Sequence, residues 1–166
     1  MKALPAAVLE GVLDDMPVAR LALHDLKDRP EALPIVFARV ADALWSPIDG
    51  KPKGLGRDLG RIGRLERAPD VMLLFDHYAQ DWRDLWWIRL KARAEVLNDK
   101  HPDFIAAINA LDDKYPQYQF TPMFKDEPTI LRFTWFAVGW WASDGLAGIE
   151  RWLAERPNRT FLSAHP

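Results

Sequence analysis

The clearest pattern in the chain is a strict alternation over residues 86–96. Trp86, Ile88, Leu90, Ala92, Ala94 and Val96 fall on one side, and Trp87, Arg89, Lys91, Arg93 and Glu95 on the other. A period of two sustained over that length predicts a strand with one buried face, the opposite face meeting water, an anion or another subunit. A second long strand is predicted over 129–141, rich in β-branched and aromatic residues. Shorter strand-like runs occupy 18–24, 32–39, 42–48 and 71–75, with Pro30 interrupting the first pair and Ala41-Asp42 forming a tight turn between the second. Helical spacing marks 4–15, 57–68 up to the stop at Pro69, 103–111, and 146–155, the last capped by Ser143 or Asp144. The stretch 114–128, with Pro116, Pro122 and Pro128, reads as irregular.

Six strands, mostly joined by short turns and interleaved with helices, predict a mainly β (α+β) antiparallel barrel rather than a doubly wound sheet. The expected layout is a helix over 1–16, a barrel over 17–143, and a helix and tail over 144–166. At 166 residues such a domain buries about two-thirds of the surface its unfolded chain exposes.

Net charge of −2 gives no whole-protein field directed at nucleic acid or a membrane. The absence of cysteine excludes disulfides, thiolate nucleophiles, Cys-based zinc sites and iron–sulfur ligation. Glu10, Asp14 and Asp15 interrupt the apolar run that a signal peptide needs, and no stretch approaches the ~20 apolar residues of a membrane span. A cytoplasmic location is the expectation. Eight Trp and eight Phe point to flat aromatic surfaces in the core or at a ligand site.

Chemistry concentrates at Gly50-Lys51-Pro52-Lys53-Gly54-Leu55-Gly56-Arg57, between a strand ending Ser46-Pro47-Ile48 and a helix carrying Arg57, Arg61 and Arg64 on one face. Unpaired N–H groups at a helix start, beside lysines, make a phosphate site. The plainer reading is a solvated basic turn whose helix pairs with acids such as Asp58 and Glu66. Gly54, Gly56 and Gly60 only loosely follow the dinucleotide glycine pattern, and no Gly-Lys-Ser/Thr ending makes a P-loop. Asp76-His77-Tyr78 lacks metal-ligand spacing, and the serines lack a nucleophile-elbow context, so structural roles are expected there. Trp86-Trp87 and Trp140-Trp141 each place one indole in the core and one outward, where it can stack on a planar ring or seal a subunit contact. Basic residues among the tryptophans invite a single-stranded nucleic-acid reading, which Asp76, Asp81, Asp84 and Glu95 weaken.

Taken in order, several segments resemble the pyridoxamine 5′-phosphate oxidase-like flavoproteins, and within them the deazaflavin-dependent oxidoreductases. They are Ala19-Arg20-Leu21-Ala22-Leu23, Leu33-Pro34-Ile35-Val36-Phe37-Ala38, Gly50-Lys51-Pro52-Lys53 and Arg64-Leu65-Glu66-Arg67-Ala68-Pro69-Asp70-Val71. Asp76-His77-Tyr78 through Trp86-Trp87-Ile88-Arg89 is the most specific; Tyr115-Pro116-Gln117-Tyr118 and Gly139-Trp140-Trp141-Ala142-Ser143 extend the likeness. The resemblance implies a six-stranded split β-barrel of the FMN-binding type, a homodimer with its cofactor between the subunits, and a small-molecule substrate. It implies FMN, or alternatively the deazaflavin coenzyme F420, as cofactor. By the same resemblance Ser46, Pro47 and Ile48 run beside the ring, while Lys51, Pro52, Lys53 and Arg57 meet the phosphate. Trp87 or Trp140 comes from the partner subunit. The chain closes on Arg159-Thr160-Phe161-Leu162-Ser163 rather than the family's arginine-rich substrate segment, which points away from vitamin B6 phosphate as substrate. Two alternatives remain: a non-catalytic flavin or tetrapyrrole-product binding protein on the same fold, and an interaction protein that uses exposed tryptophans.

Overall fold

Where the sequence alternates with period two, a computed structural model shows strands, and where it repeats at helical spacing it shows helices; the structure describes residues 3–48, 57–124 and 127–155. The order is α1 (Ala6–Asp15), β1 (Ala19–His24), β2 (Pro30–Ile35), β3 (Ala38–Val40), β4 (Ala43–Pro47), α2 (Arg57–Arg67) and β5 (Asp70–His77). It continues with β6 (Trp86–Asn98), α3 (Phe104–Lys114), β7 (Thr129–Ala142) and α4 (Gly145–Ala154). Short 3-10 turns lie at Trp82–Asp84 and Pro116–Gln119. Among the described residues no helix is long and apolar enough to cross a membrane.

Among the described residues seven strands appear where six were expected, because the run over 32–39 breaks at Val36 and Phe37. The reason is a competing hydrogen-bond partner. The Tyr115 hydroxyl accepts from the Phe37 N–H at 2.9 Å and lies 2.7 and 2.9 Å from the Phe37 and Pro17 carbonyls. Backbone groups that would have continued a ladder are satisfied by a side chain instead. Burial pushes the Tyr115 phenol well above its usual range, so it stays a hydroxyl.

All strand pairs are antiparallel, in the order β2-β1-β5-β6-β7-β4-β3. The edge strands β2 and β3 are consecutive in the chain, and three Cα steps from Ile35 to Ala38 span at most about 11 Å. The sheet therefore curls until its two edges meet at one corner. Tight hairpins set the registers. Ala41 takes φ 52° in the β3–β4 turn at the expected Ala41-Asp42. In the β1–β2 turn the Asp25 carboxylate accepts from the N–H groups of Lys27 and Arg29 at 2.7 and 2.9 Å. These bonds to Arg29, backbone first, hold Asp25 at about 2.

The inward side of β1, β5, β6 and β7 packs with Val12 and Leu13 of α1, Leu65 of α2, and Ile149 and Trp152 of α4 into the main core. A second core forms on the other side of the sheet end, where Phe104, Ala107 and Leu111 of α3 cover Ala38, Trp45 and Ile130. The α4 start is not capped as expected. Asp144 precedes the helix but makes no side-chain cap bond, and its carboxylate meets Arg151 at 3.0 Å.

Candidate functional site

β4 is buried at every residue. Ser46 is 2% exposed, the one polar residue buried among the described residues. Pro47 is buried beside it, and the Ile48 N–H donates to the Thr129 carbonyl at 3.0 Å, tying the strand end to β7. Lys51, Pro52 and Lys53 lie outside the described residues. Arg57 opens α2, and its side chain is likewise outside the description.

Near this strand end, α2 and the C-terminal end of β6 enclose a cleft of about 540 Å³ with Glu127, Pro128 and Thr129. Its described walls carry Glu66, Asp99 and Glu127 against the single ammonium of Lys100. An anion placed there needs positive charge from the basic turn; the described wall does not supply it.

The helix that follows the turn spends its last arginines on the protein itself. Arg64 pairs with Glu31 and donates to the Gly60 carbonyl at 3.0 Å, and Arg67 donates to the Asp25 carbonyl at 3.0 Å. Of the shared face of Arg57, Arg61 and Arg64, Arg64 is engaged by Glu31 and locks α2 to the β1–β2 hairpin.

Trp87 stands elsewhere. Ser46 pairs with Leu131 and Leu131 with Val96, whereas Trp87 is nine residues earlier on β6, about 30 Å along an extended strand. Within one chain, Ser46–Ile48 and Trp87 do not share a pocket. Trp140 pairs with Ile88 on the inward side and packs against the main core. Trp141 pairs with Trp87 on the outward side and is 46% exposed. Each tryptophan pair does split between core and surface, but the outward member of the second pair is Trp141.

The cause is a bulge in β7 opposite Lys91/Ala92. Leu131, Phe133 and Trp135 pair with the inward residues of β6, as do Val138, Trp140 and Ala142 after the bulge. One extra residue reverses which parity faces the core. A glycine at 139 is the local hint in the sequence, because Gly inside a strand marks bulges and close approaches.

On that outward face the Arg89 guanidinium lies 4.9 Å from the centroid of the Trp87 ring. Asp76, opposite Trp87 on β5, is engaged by Arg20 at 2.9 Å. At the other end of β7, Arg132 reaches Glu95 at 2.6 Å and lies over Trp45, whose ring also neighbours His101. The Trp45 Nε1 is buried without a hydrogen-bond partner. Among the described residues no group of three His, Asp or Glu side chains is placed to hold a metal ion.

No protein-family model matches the sequence, and no curated protein does. Solved structures match the fold. A heme binding protein from Mycobacterium smegmatis superposes with a TM-score of 0.64 at 15% identity, over 87% of this chain and 57% of that one. This chain thus spans little more than half of that neighbour. A FAD-binding protein from Mesorhizobium loti gives 0.62 at 19% identity, over 82% and 92% of the two chains. A candidate pyridoxamine 5′-phosphate oxidase from Listeria innocua gives 0.55 at 14% identity, over 79% and 93%. These neighbours share the pyridoxamine 5′-phosphate oxidase-like fold, and at such identities the likeness establishes the architecture.

Proposed function

We propose that this chain is a flavin- or deazaflavin-dependent oxidoreductase on a split-barrel frame, working as a homodimer on a small-molecule substrate. The observation that carries the reading is the end of β4. A fully buried strand carries Ser46, its end is tied through Ile48 to Thr129 of the cleft wall, and the Lys51-Pro52-Lys53 segment lies in sequence between that end and the N-terminus of α2. Such a strand end, basic turn and helix start suit a ring edge followed by a phosphate. The FAD-binding neighbour and the candidate oxidase from Listeria support the same class.

The residues fit FMN, or the deazaflavin coenzyme F420, on one condition. Because the described cleft wall is acidic, the phosphate charge falls to Lys51, Lys53 and Arg57. Ser46, Pro47 and Ile48 orient the ring edge from a strand that packing holds rigid. Trp87 lies about 30 Å along β6 from the position level with Ser46, and in this reading a second copy supplies it as a wall. The bound cofactor supplies hydride or electron transfer; the protein positions it and excludes water. No side chain is assigned a proton-transfer role.

Lys51→Ala with Lys53→Ala tests the assignment. The double variant is expected to lose about 1–3 kcal/mol of FMN affinity by fluorescence titration, with its unfolding curve unchanged. Equal affinity in parent and variant removes the phosphate assignment. A second reading, a non-catalytic binding protein for flavin or a tetrapyrrole product, draws on the heme binding neighbour. A coloured preparation that NAD(P)H does not bleach supports that reading over the enzyme.

A further inference from the structure

The outward face of β6 and β7 carries more positive charge and aromatic surface than the fold needs. Trp87, Arg89 and Lys91 point outward from β6, and their partners on β7 are Trp141, Gly139 and Ala137. On the other flank β5 places Leu74 beside Arg89 and Met72 beside Lys91. The result is a floor of aliphatic carbon and two indoles, with one guanidinium laid over Trp87.

Three observations give this floor a ligand preference. Neither Arg89 nor Lys91 has a carboxylate partner among the described residues, and the neighbouring Asp76 is committed to Arg20. Position 139 has no side chain, and a Cβ there would stand 3.7 Å from Arg89 Nη2 and 4.0 Å from Trp87, so anything larger would fill the space beside the guanidinium. Trp141, directly across from Trp87, is 46% exposed. A cation stacked on an indole keeps its outer face available to a second flat ring, and two unmatched positive charges complement an anion.

We propose that Trp87, Arg89, Gly139 and Trp141 form a binding shelf for a planar aromatic ring bearing negative charge, with Arg89 selecting for the charge. This deepens the flavin reading and rests on it only for the identity of the natural ring. In that reading the shelf is the second copy's wall, and Trp141 rather than Trp140 joins Trp87 there.

The test uses the full chain at low salt and three probes: 1-pyrenecarboxylate, the uncharged 1-pyrenemethanol, and FMN, each followed by fluorescence anisotropy or quenching. The carboxylate is expected to bind at least about tenfold more tightly than the alcohol. Arg89→Gln abolishes that difference while leaving the alcohol unchanged, Arg89→Lys retains part of it, and Trp141→Ala weakens both pyrenes. Equal binding of the two pyrenes, a preference that survives Arg89→Gln, or no binding because a second copy covers the face, each overturns the shelf. FMN separates the two readings. Arg89-dependent pyrenecarboxylate binding without FMN binding refutes the flavin reading alone, whereas FMN binding with no Arg89-dependent preference for the pyrenecarboxylate refutes the shelf and leaves the flavin reading standing.

Discussion

Replacing Lys114 by methionine should make this protein's stability much less dependent on pH. Lys114 ends α3, donates to the Leu13 carbonyl at 2.9 Å, and holds its ammonium 3.8 Å from the centroid of the Phe37 ring. Burial pulls its pKa from 10.5 down to about 7, against the upward pull of Asp14 and Asp15, with Arg39 adding to the lowering. Below pH 7 both the folded and unfolded chains carry the proton, and the folded state bears the full cost of the buried charge. Between pH 7 and 10.5 the unfolded chain binds a proton that the native state has released, so stability rises by about 1.4 kcal/mol per pH unit. From pH 7, where the native group is half titrated, to pH 9 the gain is about 2 kcal/mol. Methionine fills similar volume and does not titrate, but it abandons the bond to Leu13, at a cost of about 1 kcal/mol. Urea unfolding followed by tryptophan fluorescence should therefore find the variant the more stable at pH 6, with its advantage shrinking by about 2–3 kcal/mol by pH 9. Above pH 10 the raised Tyr115 pKa acts in the opposite sense: the unfolded phenol ionises first and stability falls. Parallel stability curves for parent and variant, or a flat parent curve from pH 7 to 9, would refute the assignment of a buried charge at Lys114.

Tyr115→Phe removes the hydroxyl that joins Phe37 and Pro17, leaving buried backbone groups unpaired, and should cost about 1–3 kcal/mol in a urea titration. Phe75→Ala, at a fully buried ring packed edge-on against Phe37, is expected to cost about 3–5 kcal/mol; a loss under 1 kcal/mol by calorimetry would mean the core is not packed as described. Gly145 takes φ 57° and its Cβ direction is open, so Gly145→Ala meets no clash and should still lose about 1 kcal/mol from backbone strain alone, with Gly145→Asn losing less.

Alternation and helical spacing are local properties, and what depends on them alone was legible in the chain. The strand at 86–96 with Trp86 inside and Trp87 outside, the four helices, the Ala41-Asp42 turn and the buried run at 71–75 all follow from side-chain period and backbone preference. Decisions made between distant residues were not legible. Position 37 reads as mid-strand, yet a tyrosine 78 residues away takes its N–H and splits the strand in two. Arg64 reads as part of a basic helix face, and only the fold brings Glu31 to it. The β7 bulge is decided by the register of the whole ladder, and one inserted residue exchanges the roles of Trp140 and Trp141. The distance between Ser46 and Trp87 has the same origin. Pattern told which side chains would be buried, while the paths of β4, β6 and β7 across one sheet determined which of the remaining ones can meet the same ligand.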